Sequence, residues 1–483
     1  MQQEVFIGID IGSQGVRTAA LGEDGSLIEQ TEANFKLTRE SRQEQSPEIW
    51  WQTTQALLKK LIYQCRQKGM MIDSIKALTV TSTSGTVIPL DSTGEPLHPA
   101  MMYSDTRPAE EANLCRQAAI ENNSDGYQSF NASSGLPKIL WYVRHYPEKA
   151  ERIAGWAHAA DFIINKFRGE PGVTDETNAL KTGYDLINKQ WPDYIFTRLG
   201  LPRDWFPNVL PSGTPLGAVS PKIAKEIGLP EKAIVTTGMT DGCASQVSSG
   251  AVHLGGWNTT IGTTLVVKGV TKGYIDDPEG RLYSHRHPQG YWMPGGASNT
   301  GADWITREYE GANLRQLDEE ANKFTPTGQI AYPLYGAGER FPFISTEARG
   351  FAPQNLSAAE LYTAKMEGVS YIERMAYDLI QRLSGETIEA VYTAGGASNS
   401  NTWMQIRANV LNKPIIKMRY VTGAVGAAIL AASQTCYNSL ETAGMELTQI
   451  EKKVEPNQFK SDYEAGYQRF LQELEDRQYI KGV

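Results

Sequence analysis

Apolar and polar positions near the start of the chain predict strands joined by short turns. Residues 4–35 hold three apolar or β-branched runs, separated by Ser13-Gln14-Gly15 and by GEDG at 22–25. Runs of this length, bounded by Gly, Ser and Asp, are typical of strands in hairpins. The first predicted turn therefore follows Gly12, directly after the apolar strand that begins near residue 4.

The next pattern predicts a helix and then a buried strand. Ser46 is a suitable N-cap, and Pro47 suits the first helical position because that position needs no backbone N–H donor. Apolar residues then recur at helical spacing as far as Ile62. The run SIKALTVTST at 74–83 predicts a strand. Strands that alternate with helices indicate an α/β fold.

A second strand–turn–strand pattern begins about 250 residues after the first, with its glycine-hydroxyl turn at Gly262-Thr263-Thr264. This repetition predicts two domains built on one plan, residues 1–250 and residues 251–483. Residues 202–221 contain five prolines and predict no long regular element. Residues 437–483 are charged, with apolar positions at helical spacing, and predict helix.

Composition limits the classes of function. The chain has 483 residues, 40% of them apolar, which is enough to bury a substantial core and excludes general disorder. Its net charge of −9 argues against a nucleic-acid or membrane-surface protein, because both need basic patches. The four cysteines stand 50 or more residues apart, and the N-terminus lacks the pattern of a signal peptide. We expect a cytoplasmic protein with free thiols and no membrane-spanning segment.

The first segment that carries chemistry is the predicted hairpin Gly8–Thr18. Its glycines let the backbone approach an anion, and Ser13 and Gln14 can donate hydrogen bonds. Asp10 ends an apolar strand, where a carboxylate can hold Mg²⁺ through water. The segment has neither the GxGxxG of a dinucleotide fold nor the GxxxxGK[ST] of a P-loop. A plain glycine-turn hairpin is the alternative.

The second segment is Gly238–Gly242, directly after the strand AIVTTG. It places Asp241 at the end of a buried strand, where a carboxylate faces a cleft. Phosphoryl transfer to an alcohol needs a group that orients the hydroxyl and accepts its proton, and Asp suits that role. The alternative is an Asx-turn or a helix N-cap, the commoner fate of Asp before Gly.

The third segment, Thr393–Trp403, follows the strand EAVY and contains Gly395 and Gly396. A strand, a glycine pair and then a helix can pass backbone under a nucleotide and aim N–H groups at its phosphates. Trp403 either stacks on a base or fills the core. Further pocket candidates are polar residues in loops: Ser84, Tyr103, Asp105 and Arg107. Asp105 and Arg107 can instead simply pair with each other.

Taken in order, these segments resemble the FGGY carbohydrate kinases over about residues 4–475. The motifs that carry the resemblance are IGIDIGSQGVRTAAL, YSDTR, SGLPKILW, GMTDG, IGTTLVV, TAGGASNSNTW and GAVGAAILAA. Further segments, such as TSTSGTV at 81–87 and GERFP at 338–342, look like the ribulose/xylulose-kinase-like branch, in which ketopentoses are the substrates.

The resemblance implies an α/β fold of two actin-like, ribonuclease H-like domains of the sugar kinase/Hsp70/actin ATPase class, flanking a deep cleft. It implies ATP and Mg²⁺ as cofactors and a small sugar as substrate, and it allows a homodimer because dimers are frequent in the family. Asp241 matches the family's catalytic base and also contacts substrate, and Asp10 matches its Mg²⁺-associated carboxylate. The positions that match the family's phosphate-binding hairpins are Gly12, Ser13, Gln14, Gly262, Thr263 and Thr264. Those that match its nucleotide pocket are Gly395, Gly396, Ser400 and Trp403. Those that match its sugar-binding positions are Ser84, Tyr103 and Asp105.

Departures from the family pattern bear on which sugar or polyol accepts the phosphoryl group. Residues 81–86 carry Thr, Ser and Gly where xylulokinases have a Gln-Met-His triplet and glycerol kinases an Arg-Glu pair. This difference speaks against glycerol and puts D-xylulose in doubt. We expect phosphorylation of a ketopentose such as D-ribulose, or D-xylulose, to its 5-phosphate. The alternatives are a kinase of another sugar or a polyol, an ATP-driven binding protein of the actin or Hsp70 type, and a dehydrogenase, which the strand after Gly15 disfavours.

Overall fold

The computed structural model describes residues 3–122 and 126–481. Its strands are, in chain order, β1 (Val5–Gly12), β2 (Gly15–Gly22), β3 (Leu27–Asn34), β4 (Glu44–Gln45), β5 (Ile75–Ser82), β6 (Val87–Leu90), β7 (Ala100–Met101), β8 (Gly155–His158), β9 (Val173–Asp175), β10 (Asn208–Leu210), β11 (Pro215–Ala218), β12 (Ile234–Thr236), β13 (Met239–Thr240), β14 (Trp257–Ile261), β15 (Leu265–Gly269), β16 (Tyr283–Arg286), β17 (Trp292–Ala297), β18 (Val391–Ala394), β19 (Ile415–Met418) and β20 (Ile450–Val454).

The helices alternate with these strands. They are α1 (Arg39–Gln43), α2 (Pro47–Gln67), α3 (Ala109–Glu121), α4 (Gly135–His145), α5 (Pro147–Ala150), α6 (Ala159–Arg168), α7 (Glu176–Ala179), α8 (Asp193–Thr197), α9 (Pro221–Ile227), α10 (Asp241–Ser248), α11 (Asp303–Glu308), α12 (Leu314–Ala321), α13 (Ala358–Ser384), α14 (Asn401–Leu411), α15 (Gly423–Ser433), α16 (Leu440–Leu447) and α17 (Lys460–Asp476). Among the described residues, no helix is long and apolar enough to cross a membrane.

The chain forms two compact units. The first unit contains residues 1–248, 285–290 and 420–448, and the second contains residues 249–284, 291–419 and 449–483. In the first unit the main sheet has the strand order β11-β12-β5-β1-β2-β3. β1 pairs antiparallel with β2 and parallel with β5, so the hairpin lies beside a parallel strand.

The second unit repeats this plan. Its sheet contains the strand order β17-β15-β14-β18-β19-β20, in which β14 pairs antiparallel with β15 and parallel with β18. Six of the seven strands of each sheet follow the same order, with three antiparallel strands, two further parallel strands and a last antiparallel strand. The α/β fold and the two domains of one actin-like plan, expected from the sequence, are confirmed.

Helix α15 packs unusually close to the sheet of the first unit. Nearly all of its residues are buried. A Cβ added to Gly8 of β1 would lie 1.8 Å from the carbonyl oxygen of Ala424, and one added to Gly426 would lie 1.9 Å from that of Ala244. Only glycine permits these backbone approaches. Residues 420–448, late in the chain, therefore supply a central part of the first unit.

Local predictions from the sequence hold in most places. Helix α2 begins after Ser46, whose hydroxyl accepts the backbone N–H of Ile49 at 3.4 Å. The proline-rich stretch 202–221 contains only short elements, as predicted. The helical prediction for 437–483 is wrong at Ile450–Val454, which forms the edge strand β20 against β19. All four cysteines are free thiols.

Candidate functional site

The first hairpin ends in a two-residue turn. Gly12 pairs with Gly15, which leaves Ser13 and Gln14 at the tip. The carbonyl oxygen of Ser13 accepts a hydrogen bond from the side-chain amide of Gln45 at 2.9 Å, and that of Gln14 accepts the N–H of Phe35 at 2.7 Å. The carbonyls are thus bound within the first unit, and the tip side chains remain at least partly accessible.

Asp10 is a buried carboxylate near the end of β1, opposite Thr81 of the parallel strand β5. Burial raises its pKa to about 7, Asp241 adds to this shift, and Arg17, whose guanidinium lies 3.8 Å from the carboxylate, opposes it. A raised pKa from burial together with a second carboxylate is typical of a site that receives a cation.

Asp241 is the first residue of α10 and follows β13 directly. Strand β13 runs parallel to β5, as β1 does, so Asp10 and Asp241 lie at the same, carboxyl-terminal edge of the sheet. The Asp241 side chain is exposed, and it accepts the N–H of Gly242 at 2.6 Å. The two carboxylates that the sequence singled out are therefore brought together within the first unit.

The N-terminus of α15 also lies against Asp10. Thr422 caps this helix by accepting the N–H of Val425 at 3.2 Å, and Gly423 follows. A Cβ on Gly423 would stand 2.7 Å from a carboxylate oxygen of Asp10. The sequence identified this small-residue helix as a motif but gave it no role at the site.

The predicted sugar-side residues lie in loops of the first unit. Ser84 follows β5, and its buried hydroxyl has no hydrogen-bond partner among the described residues. Tyr103 is 41% exposed. Asp105 is buried, and both of its carboxylate oxygens accept from Arg107, at 2.8–3.1 Å. The pairing of Asp105 with Arg107, left open by the sequence, is therefore present.

A buried lysine near these loops was not identified from the sequence. The ammonium of Lys138 donates to the carbonyl oxygens of Ala132 at 2.8 Å and Ser134 at 3.1 Å. Burial lowers its pKa to about 7, and Asp105 opposes the shift. The segment SGLPKILW is visible in the sequence, but only the fold shows that its lysine points inward.

The second unit contains a cavity of about 730 Å³. Five of the residues predicted to bind phosphate or nucleotide line it: Gly262, Thr263, Gly396, Ser400 and Trp403. Gly395 stands beside the second hairpin, with φ of +82°, and a Cβ there would lie 2.4 Å from the carbonyl oxygen of Ile261. The glycine pair and the hairpin turn therefore meet at one side of this cavity.

Trp403 of α14 and Ser400, the N-cap of that helix, are among the residues that line this cavity. Trp403 is 1% exposed, and its indole N–H donates to the hydroxyl of Ser370 at 3.2 Å. Ser400 caps α14 by accepting the N–H of Trp403 at 2.8 Å, and it donates to the carboxylate of Asp318 on α12. Asp318 lines the same cavity and was not identified from the sequence.

Family models match both units of this chain. The N-terminal domain of the FGGY family of carbohydrate kinases matches residues 5–248, and its C-terminal domain matches residues 257–435. The chain belongs to the FGGY family of carbohydrate kinases. It is an enzyme of the carbohydrate kinase class, as the sequence predicted.

Individual FGGY relatives are similar over nearly the whole chain. A xylulose kinase of Staphylococcus epidermidis is 26% identical over 98% of this chain and 98% of its own, and one of Escherichia coli is 27% identical over 88% and 89%. The crystal structure of a xylulose kinase from Brucella ovis superposes with a TM-score of 0.87 at 22% identity, covering 99% of this chain and 100% of that one. The last comparison shows the fold alone.

Carbohydrate kinases of this family use ATP, generally with Mg²⁺. The first unit fits such an ion chemically, because carboxylate oxygens are the ligands that Mg²⁺ prefers and Asp10 carries a raised pKa beside Asp241. Within residues 3–122 and 126–481, no group of three or more His, Cys, Asp or Glu side chains is arranged to hold a metal.

A buried carboxylate supports the second hairpin of this carbohydrate kinase. Glu339 accepts hydrogen bonds from the hydroxyls of Ser298 and Thr300 at 2.8 and 2.9 Å. The carbonyl of Thr300 in turn accepts the N–H of Leu265, the residue that follows the hairpin turn. The sequence contains GERFP and GGASNTG as motifs, but their pairing is a tertiary contact that neither pattern reveals.

Proposed function

We propose that this FGGY enzyme transfers the γ-phosphoryl group of ATP to a terminal hydroxyl of a ketopentose, D-ribulose or D-xylulose, to give the 5-phosphate. The observation that carries the proposal is the exposed carboxylate of Asp241 at the carboxyl edge of the first sheet, electrostatically coupled to buried Asp10. The named relatives favour D-xylulose, whereas residues 81–86 differ from the xylulokinase pattern and favour D-ribulose.

Asp241 is the proposed catalytic base. An aspartate needs no raised pKa to orient a sugar hydroxyl and accept its proton as the phosphoryl group arrives. Its exposure leaves the carboxylate accessible to a substrate, while the backbone on both sides is fixed by β13 and α10. Positioning of this kind contributes roughly 7–11 kcal/mol to lowering such barriers.

Asp10 is the proposed Mg²⁺-associated carboxylate, and it would hold the ion through water. When bound, the ion would neutralise negative charge on the phosphates. The buried Asp10 would then stay ionised, because a nearby cation lowers the pKa of a carboxyl group. Arg17, 3.8 Å from Asp10, supports the same ionised form.

The nucleotide is proposed to bind to the second unit. Gly395, Gly396 and Ser400 would surround it, and the buried indole of Trp403 would support this wall of the adenine pocket from behind. The turn Gly262–Thr264 offers backbone N–H and hydroxyl donors to phosphate oxygens, as does the turn Gly12–Gln14 of the first unit. Glycine backbone and hydroxyls explain how a chain of net charge −9 can hold an anionic ligand.

The sugar side is proposed to involve Ser84, Tyr103 and Asp105. Ser84 has a buried hydroxyl without a partner among the described residues, so a sugar hydroxyl would satisfy it. Tyr103 is accessible, whereas Asp105 would act by holding Arg107 and the loop. With these assignments, the first unit would supply the acceptor side and the second unit the nucleotide side.

The proposal is tested by a panel of ketopentoses, aldoses and polyols, with ADP release measured in a coupled assay with and without Mg²⁺. Mg²⁺-dependent ADP release with a ketopentose at a rate well above that with other acceptors supports it. A polyol or an aldose as the best acceptor would reassign the substrate. ATP hydrolysis at one rate with every sugar would indicate an ATPase of the actin or Hsp70 type.

A further inference from the structure

Asp175 is a fully buried carboxylate that no part of the proposed reaction uses. It ends β9 and caps α7 by accepting the N–H groups of Thr177 at 2.8 Å and Asn178 at 3.1 Å. It also accepts the hydroxyl of Thr177 at 2.6 Å, the side-chain amide of Asn178 at 2.6 Å and the hydroxyl of Ser212 at 3.3 Å. Capping accounts for the first two bonds but not for the bond from the Thr177 hydroxyl.

That bond determines whether the Thr177 hydroxyl donates or accepts its other hydrogen bonds. A hydroxyl has one proton, and here it is donated to Asp175, so the remaining lone pairs of Oγ1 can only accept. They accept the backbone N–H of Thr240 at 2.9 Å. Thr177 is fully buried and Thr240 is 1% exposed, so water has little access to replace this acceptor.

Thr240 is the last residue of β13, a strand of only two residues. On one side β13 pairs with β5, where Thr240 faces Ser82 and the hydroxyl of Thr81 donates to the carbonyl of Met239 at 2.8 Å. On the other side the Thr177 hydroxyl supplies an acceptor that a neighbouring strand would otherwise provide. Thr240 is therefore held from both sides immediately before Asp241.

We propose that Thr177, oriented by Asp175, is a positioning residue for Asp241, because it fixes the backbone from which the catalytic carboxylate projects. This inference rests on the proposed function. A displacement of about 1 Å at a reacting group lowers rates up to about 100-fold, so one lost backbone contact next to the base has a measurable effect. We expect the contact to act on turnover, because the Thr177 hydroxyl bonds Asp175 and Thr240 and the residue does not line the cavity of the second unit.

The variants Thr177→Val and Thr177→Ser separate this role from simple packing. Valine keeps the shape but neither accepts nor donates, whereas serine keeps the hydroxyl. The matched control is Thr174→Val, which removes another buried threonine hydroxyl nearby, one that lies 2.9 Å from Nδ1 of His158. Each purified full-length chain is compared for turnover, for KM of ATP and sugar, and for amide hydrogen exchange over Met239–Gly242.

For Thr177→Val we expect turnover to fall about tenfold or more, with both KM values within about threefold of wild type. Exchange over Met239–Gly242 should be faster in this variant. Thr177→Ser and Thr174→Val should keep turnover within about threefold and leave the exchange slow. Wild-type turnover in Thr177→Val, unchanged exchange, or an equal loss in Thr174→Val would overturn the inference alone. A wild-type chain that releases no ADP with any sugar would instead overturn the proposed function, and this inference with it.

Discussion

Gly423 stands against the carboxylate of Asp10, so close that a single added carbon would lie 2.7 Å from an oxygen of the carboxylate. The contact joins the first residue of α15 to the end of β1, two segments more than 400 residues apart in the chain. It places the N-terminus of a helix, the positive end of its dipole, beside a buried acid. Such an arrangement favours the ionised form of the carboxylate.

From this contact we predict that Gly423→Ala displaces either Asp10 or the start of α15. Sugar-dependent turnover should fall by about tenfold or more, because reacting groups tolerate displacements well below 1 Å. The Mg²⁺ concentration for half-maximal rate should rise in the same variant. The control is Gly273→Ala, where an added Cβ meets nothing within 4 Å. Equal turnover in the two variants would show that the contact between Gly423 and Asp10 does not affect the reaction.

Asp241→Asn should abolish sugar-dependent ADP release, since the amide can hold the substrate hydroxyl but cannot accept its proton. ATP binding, measured by calorimetry, should remain. The control is Asp193→Asn, which removes the charge of an exposed carboxylate paired with Arg203 on the surface. An Asp241→Asn variant that keeps more than a few per cent of turnover would contradict the assignment of the base.

Asp318→Asn should weaken ATP binding without a comparable loss of turnover. Its carboxylate accepts from Ser400 and from the N–H of Thr402 at 3.4 Å, so it anchors α12 to the start of α14 at the cavity. We expect the KM for ATP to rise severalfold, which is about the effect of losing one charge-assisted hydrogen bond. Glu320→Gln removes a charge from the same helix, at a carboxylate that accepts from Gln316, and should leave KM unchanged. Equal effects in the two variants would indicate a general charge effect.

Glu367 should make the stability of the second unit depend on pH. Burial raises its pKa to about 7, while hydrogen bonds from Thr327 and Tyr463 oppose the shift. The folded chain thus binds a proton that the unfolded chain has lost between about pH 4.5 and 7, so stability falls as pH rises through this window. The loss is at most about 3 kcal/mol.

The test of this pH dependence is urea unfolding of wild type and Glu367→Gln at pH 5 and pH 8. The glutamine resembles the protonated acid, so the variant should lose less stability than wild type between the two pH values. The same loss in both chains would show that Glu367 already ionises normally in the folded protein.

The sequence predicts those parts of this kinase that local chemistry determines. The turns at Ser13-Gln14 and Gly262–Thr264 and the start of α2 at Ser46 follow from turn and capping residues that act within a few positions. The position of Asp241 after a buried strand also follows from a local pattern, the apolar run before it. These features were found because their causes lie next to them in the chain.

Other features depend on partners that are distant in the chain. Nothing near Gly423 indicates that α15 packs on β1, and nothing near Thr177 indicates that its hydroxyl meets Thr240. The strand β20 was missed because it is a short, charged edge strand that pairs on one side only. Asp318 lies on a polar helix, and its hydrogen bond from Ser400 joins residues 82 positions apart in the chain.

The most direct test of the central claim is to identify the product formed from Mg²⁺, ATP and D-ribulose or D-xylulose by phosphorus NMR, with wild type and Asp241→Asn compared side by side. We predict a new phosphate monoester at the 5-position of the sugar, formed with ADP in equal amounts by wild type and absent with the variant. ADP and free phosphate without any sugar phosphate, at a rate that sugar does not change, would contradict the account.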